Sequence, residues 1–320
     1  MEHLDHQDTN SLDKRLPESV YRRRRALVFT PILAVLFVIA HVGGDSFAAA
    51  ESSTPTVSWY VSWAHTGDAT QRAERLGCEQ GERSNGGTVF LGFGRQREGG
   101  PSGFTNGVVP YARVADVAAS YAKGLQRCSD DAWVVAVMTS NHKLDDVDLA
   151  GRQGREWGEL ANATWDLIGK DKRVVIAAGS DVEPAWGSYA AAAAWANEAH
   201  NTGARLAFTP SADGCPTSGD NGCSNGWNPQ LMATLMWGID ADAVVMPQIY
   251  RSKMAQQWGR IAMVGRDVGL VPVFAGALSQ QGACQVTGQK PCLDIGPLRA
   301  QTMLSEALGE NVVVGSDISW

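Results

Sequence analysis

Val174-Val-Ile-Ala-Ala-Gly-Ser-Asp-Val-Glu-Pro184 runs from six apolar residues almost directly into two acids separated by one position. A short apolar run of this kind is the pattern of a buried strand. Period-two geometry then points Asp181 and Glu183 to the same side of the chain at the C-terminal end of that strand. The alternative for the same residues is that Asp181 caps the next helix and Glu183 faces solvent.

Working outward, seven further apolar runs read as strands, at 57–63, 88–93, 133–138, 206–209, 243–248, 271–275 and 312–315. Helix-like stretches lie between them at 114–128, 156–169, 189–203, 229–239, 255–268 and 297–309, and only the link after the first strand shows no clear helix. Strands alternating with helices predict an α/β fold with a parallel sheet. Eight such strands over about 260 residues match a single (β/α)8 TIM-type barrel spanning 57–320, with functional groups at the C-terminal strand ends. An open doubly wound sheet is the rival, but neither a G-x-G-x-x-G turn nor a G-x-x-x-x-G-K-[ST] loop is present to support nucleotide binding.

Residues 1–50 have the order of an export leader. Arg22 to Arg25 precede an apolar segment at 26–40, and Ala48-Ala49-Ala50 offers a small-residue cleavage site. The segment is shorter than the roughly 20 residues of a comfortable membrane span and contains Pro31, which favours cleavage over a permanent anchor. The only membrane contact expected is through this segment, if it is left uncleaved, and a short linker, 51–56, would join it to the barrel. All six cysteines, Cys78, Cys128, Cys215, Cys223, Cys284 and Cys292, lie beyond the leader. Their even number fits disulfides in an oxidising compartment. The simplest pairing closes the short loops 215–223 and 284–292 and leaves Cys78 for Cys128. Zinc is disfavoured, because no C-x-x-C pair occurs and His65, His142 and His200 are scattered. No metal or other cofactor is predicted.

The chain carries a formal charge of -7, and the positive and negative residues of the leader balance. The exported part is therefore acidic, which argues against nucleic acid as a partner. The strand ends are rich in carboxylates, amides and aromatics. They supply Trp63 and His65; Gly94, Arg95 and Gln96; Asn141 and His142; Asp181, Glu183 and Trp186; Ser211 and Asp213; Gln248, Tyr250 and Arg251; Ser279 and Gln280; and Asp317 and Trp320. A barrel gathers these segments around one mouth, as a sugar-binding cleft requires. Two acids in one cleft let one carboxyl stay protonated while its neighbour stays ionised, the division that glycosidic bond cleavage uses. A G-x-S-x-G nucleophile elbow is absent, and H-x-H and H-E-x-x-H spacings are absent too. Asn162-Ala-Thr164 matches a glycosylation acceptor but falls on a predicted helix.

Asp181-Val182-Glu183 at the end of a fourth strand resembles the D-x-E of family 25 glycoside hydrolases, the lysozyme-like muramidases. It also resembles the tail of the D-x-x-D-x-D-x-E signature of family 18 chitinase-like barrels. The resemblance implies that Glu183 is the general acid and that Asp181 orients and stabilises a reacting 2-acetamido group. Met246-Pro-Gln-Ile-Tyr250 looks like the family 18 position where a tyrosine hydroxyl supports the intermediate, and Trp320 resembles the aromatic floor at the last strand. The expected function is hydrolysis of a polysaccharide or peptidoglycan-type glycan, with Glu183, Asp181 and Tyr250 catalytic. Trp63, His65, Asn141, Trp186, Asp213, Gln248, Asp317 and Trp320 are expected to bind substrate. The alternative is a non-catalytic barrel that binds carbohydrate or a cell surface.

Overall fold

A computed structural model describes residues 54–102, 104, 107–140, 145–219, 221–287, 295–312 and 315–320. The strands are β1 (Thr56–Tyr60), β2 (Gly87–Arg97), β3 (Gly100–Pro101), β4 (Trp133–Ser140), β5 (Val174–Ser180), β6 (Arg205–Phe208), β7 (Val244–Val245), β8 (Ala277–Ser279) and β9 (Gly315–Ser319). They pair in the order β7-β6-β5-β4-β2-β1-β9-β8, and β3 folds back on β2 as the one antiparallel partner. Every other pairing is parallel. The two ends of that order meet. Leu278 pairs with Gln248, its amide donates to the Pro247 carbonyl at 2.9 Å, and its carbonyl accepts from Ile249 N at the same distance. The sheet is thereby closed into a (β/α)8 barrel.

The helices form the outer layer: α1 (Ala69–Arg83), α2 (Tyr111–Cys128), α3 (Val147–Leu167), α4 (Tyr189–Asn201), α5 (Pro229–Trp237), α6 (Ser252–Asp267), α7 (Gln281–Thr287) and α8 (Pro297–Leu308). Side chains alternate between two cores. Phe90, Ala136, Met138, Ala177, Met246 and Ile318 fill the inside of the barrel. Their sequence neighbours, such as Val89, Val135, Val137 and Ala178, pack outward against the helices. Local signals start several helices. Asp146, Ser188 and Asn228 each accept from the backbone amide three residues on, which satisfies an otherwise unpaired N–H. Gly309 ends α8 at φ 69°, a conformation open to glycine without steric cost.

Several elements differ from the sequence expectation. The run 271–275 is not a strand: Pro272 has no N–H to give a ladder, and Val271 and Val273 are exposed. The barrel strand lies beyond it at Ala277–Ser279. The last strand is likewise displaced, from 312–315 to Gly315–Ser319. Helix α1 occupies the link that showed no clear pattern. Its buried face is built from Ala69, Ala73, Gly77, Gln80 and Gly81, small or polar residues that leave no hydrophobic periodicity to read. Helix α3 also begins earlier than 156. Three glycines dilute its first turns, and they are there for contact: a Cβ on Gly154 would lie 2.0 Å from the Trp195 carbonyl oxygen. In the same contact Asn162 donates to the Thr202 carbonyl at 3.0 Å and Thr164 is fully buried, so the acceptor pattern Asn162-Ala-Thr164 belongs to helix packing.

Disulfides join Cys78 to Cys128 and Cys215 to Cys223, matching the expected pairs. Cys284 is also disulfide-bonded, and its expected partner Cys292 lies outside the described residues, as do the leader, Asn141 and His142. Bridges of this kind belong to an oxidising, extracytoplasmic setting. Among the described residues no helix is long and apolar enough to cross a membrane.

The Cys78–Cys128 bridge ties α1 to α2 where their backbones nearly touch. A Cβ on Gly77 would meet the Tyr121 carbonyl oxygen at 2.0 Å, and one on Gly124 would meet that of Glu74 at 2.1 Å. Alanine favours a helix over glycine by about 1 kcal/mol, but here it would have to push backbone away. Gly77→Ala and Gly124→Ala are each expected to destabilise the barrel by about 1–3 kcal/mol in chemical denaturation with the disulfides intact. An increase in stability would show that the helices are free to separate.

Candidate functional site

Alternation along β5 decides where the acid pair points. Ala177 faces the barrel interior and Ala178 the outer core. The ladder then continues past Ser180: Asp181 N donates to the Thr139 carbonyl at 3.1 Å, and Ser211 N donates to the Val182 carbonyl at 2.9 Å. Val182 is buried in the outer core, so Asp181 before it and Glu183 after it return to the axis side. Gln248, on the continuation of β7, donates from Nε2 to Asp181 Oδ1 at 2.6 Å and to the Thr209 carbonyl at 3.0 Å. Asp181 does not cap the next helix. That position belongs to Ser188, which leaves Asp181 and Glu183 on the approach loop above the barrel.

On the neighbouring side a β-bulge changes which residue of β2 enters the mouth. The register of β2 on β4 runs Gly92 to Met138 and then Arg95 to Ser140, so β2 carries one extra residue between them. Gly94 takes φ 89°, which a glycine adopts freely. The bulge is braced by the Thr139 hydroxyl, which accepts from Gln96 N at 3.1 Å and donates to the Gly94 carbonyl at 3.3 Å. As a result Gln96 turns outward. Its amide donates to the Gln153 carbonyl at 2.7 Å and accepts from Trp195 Nε1 at 3.1 Å, beside the Tyr111 hydroxyl, whose pKa burial pushes up. Arg95 takes the axis side, and its guanidinium lies 5.8 Å from the ring centre of Trp186, whose own amide donates to the Glu183 carbonyl at 3.0 Å.

The opposite wall is aromatic. Tyr60, Phe104 and Trp320 pack with ring centres 4.7–5.0 Å apart, and Gln280 donates to the Tyr60 hydroxyl at 2.7 Å. At the ends of β6 and β7, Arg251 pairs with Asp213 at 3.2 Å, and Tyr250 is half-buried and packed against the outer core. The mouth therefore brings together Asp181, Glu183, Trp186, Gln248 and Trp320, with Asp213 on the loop after β6. His65 is exposed beyond the end of β1.

Two expected site residues lie elsewhere. β1 stops at Tyr60, and the chain turns, so Trp63 sinks into the outer core with Arg72 4.5 Å over its ring. β9 extends to Ser319, which makes Asp317 a mid-strand residue between the inward-facing Ser316 and Ile318. Its carboxylate accepts from Ser279 Oγ at 2.5 Å, Gln281 N at 2.8 Å and Gly282 N at 2.9 Å, and so anchors the start of α7. From sequence, Arg95 and Gln280 are strand-end residues without an assigned role, and Tyr60 and Phe104 carry no signal of one. The pattern Gly92-Phe-Gly94 ahead of Arg95 was the available sign, since glycine inside a strand marks a bulge. Among the described residues, Cys78, Glu82 and Cys128 alone have metal-ligand spacing, and the two sulfurs are already joined to each other.

The loop after β6 clasps the segment that carries Glu183 and Trp186. The Cys215–Cys223 bridge closes this loop, Asn225 Nδ2 donates to the Pro184 carbonyl at 2.8 Å, and the buried Trp227 donates from Nε1 to the Gly187 carbonyl at 2.8 Å. Asn225 holds φ 52°, a left-handed conformation that asparagine tolerates better than most residues.

No protein-family model and no curated protein sequence matches the chain. Among solved structures, the homocysteine methyltransferase MmuM from Escherichia coli aligns at 8% identity over 83% of this chain and 91% of that one, with a TM-score of 0.43. D-psicose 3-epimerase aligns at 9% identity over 83% and 84%, with a TM-score of 0.40. The endoglucanase Cel6 from Mycobacterium tuberculosis aligns at 14% identity over 62% of each chain, with a TM-score of 0.34.

The clasp can be opened at one bond. Asn225→Gly keeps the left-handed backbone accessible while removing the donor to Pro184. Amide exchange across residues 183–187 is expected to accelerate about 3- to 10-fold, with exchange in β4 and β5 unchanged. Equal exchange in both chains would show that the loop is held by other contacts.

Proposed function

We propose that the chain is an exported glycoside hydrolase-like barrel that cleaves a cell-wall or other 2-acetamido-containing polysaccharide. The observation that carries this is the acid pair: Asp181 and Glu183 stand on the axis side at the end of β5, and Gln248 fixes one of them by a 2.6 Å hydrogen bond. With Asp181 fixed by Gln248, Glu183 would hold and deliver the proton to the leaving oxygen. The resemblance of Asp181-Val182-Glu183 to the family 25 and family 18 glycoside hydrolases supports the same division of roles. Ile176 and Gly179 stand where family 18 has its two earlier aspartates, and 58–63 contains no aspartate. The chemistry would therefore rest on a smaller set, Asp181, Glu183 and Gln248, with the Tyr250 hydroxyl as helper.

A second reading, a barrel that binds glycan without cleaving it, is favoured by the aromatic wall. Tyr60, Phe104 and Trp320 pack on one another and fill part of the opening. The two separate in one experiment. The purified mature protein is incubated with peptidoglycan, chitin oligomers and plant or fungal polysaccharides, and soluble products are analysed by mass spectrometry. Glu183→Gln keeps the shape and removes the proton, so turnover is expected to fall roughly 10²- to 10⁴-fold while binding persists. Asp181→Asn is expected to be less severe. Binding by the wild type with no product from any of these polymers would favour the binder, and a Glu183→Gln chain that stays active would remove Glu183 from the role of acid.

Export follows from the leader and fits the disulfides. Intact mass of the secreted protein is expected to show removal of the chain up to a point near Ala50. Retention of residues 26–42 would instead indicate an anchored protein.

A further inference from the structure

We propose that Arg95 and the face of Trp186 form a subsite for the carboxylate of an acidic sugar, beside the Asp181–Glu183 pair. This rests on the glycan-binding reading of the mouth and narrows it to sugars that carry a carboxylate.

The first support is the bulge. Without the extra residue between Gly92 and Arg95, alternation would send Arg95 to the helix layer and Gln96 to the mouth. Bulges of this kind re-aim single side chains next to functional sites. Here the outward partner is a buried glutamine with several hydrogen bonds, and the inward partner is an exposed guanidinium. Among the described residues no carboxylate pairs with Arg95, and its recorded contact is the Trp186 ring. Among the described residues, Arg251 at the end of β7 is already paired with Asp213.

The second support is position. Arg95 is level with Ser140 on β4, and the next row of that ladder is Asp181, whose amide bonds to Thr139. Trp186 is 39% exposed and lies three residues after Glu183. A ligand held at Arg95 and Trp186 would thus lie on the same stretch of the rim as the acid pair. Arg95 supplies a cation on this part of the rim, and its planar fork pairs with a carboxylate through two parallel hydrogen bonds.

The test uses three oligomers of equal length: a neutral N-acetylglucosamine oligomer, one containing N-acetylmuramic acid with free lactyl carboxylates, and a uronic acid oligomer. Calorimetry is run on the mature chain and on its Arg95→Gln form, both carrying Glu183→Gln to halt turnover. The unsubstituted Arg95 chain is expected to bind at least one acidic oligomer about tenfold more tightly than the neutral one, and Arg95→Gln to bring that ratio close to one. Arg95→Lys is expected to restore only part of the preference, because an ammonium lacks the fork. Raising ionic strength on the unsubstituted chain should weaken acidic binding more than neutral binding. The two acidic arms tell a lactyl carboxylate from a ring carboxylate. Equal affinity for neutral and acidic oligomers, or an acidic preference that survives Arg95→Gln, overturns the subsite and leaves the glycan reading standing. Failure to bind any of the three overturns both.

Discussion

Closure of the parallel sheet is the constraint on which the rest of the molecule depends. Once β7 and β8 meet through Leu278 and Gln248, each strand residue has only two destinations, the barrel interior or the helix layer. The interior is filled by Phe90, Met138, Met246 and Ile318, so the axis offers room only above them, at the C-terminal strand ends. A side chain reaches the mouth by having the inward parity and by lying one or two residues beyond that packed layer. Asp181 meets both conditions. Asp317 lies on β9, across the barrel from β5, has the outward parity, and spends its oxygens on Gln281 N and Gly282 N. Two aspartates with similar sequence surroundings therefore have different fates for a purely geometric reason.

The same constraint explains how much was legible in the sequence. The runs at 88–93, 133–138 and 174–178 lie within β2, β4 and β5, because strands covered on both faces must be apolar throughout. The run at 271–275 has the same composition and fails for want of a donor at Pro272 and of burial at Val271 and Val273. Composition cannot distinguish an apolar strand from an apolar approach to one. Trp63 was misplaced by a shorter error: a strand that ends three residues early lets the chain turn before the tryptophan, which then packs under α1. The direction of Arg95, already read as a strand-end residue, was obscured by the opposite effect, an inserted residue that reverses parity from Gly94 onward. Parity errors are invisible to hydrophobic pattern when the residues concerned are polar on both faces, as Arg95 and Gln96 are.

Contacts between loops were the least legible part, since they depend on which loops the barrel brings together. Cys215 and Cys223 announced a closed loop, but nothing in the sequence said that Asn225 and Trp227 would reach the carbonyls of Pro184 and Gly187. Those two bonds flank the segment from Glu183 to Trp186. In the proposed role of Glu183 they matter because a proton donor acts only when held within about an ångström of its target, and a free loop of this length would spend little time there. The disulfide contributes by limiting how far Asn225 and Trp227 can retreat together.

The mouth is divided by chemistry as well as by position. On one side Tyr60, Phe104 and Trp320 give one another edge and tilted contacts, which keeps a large apolar surface ordered at an opening that water can enter. On the other, Asp181 and Glu183 bring two carboxylates close together, and Gln248 is a neutral donor. A neutral donor orients Asp181 without pairing a full charge to it, as an arginine in Gln248's place would have done. Arg95, two strands away, has its guanidinium over the Trp186 ring. In the proposed binding role a ligand would meet an aromatic face, the acid pair and a separate cation, and only one with matching faces would satisfy all three at once.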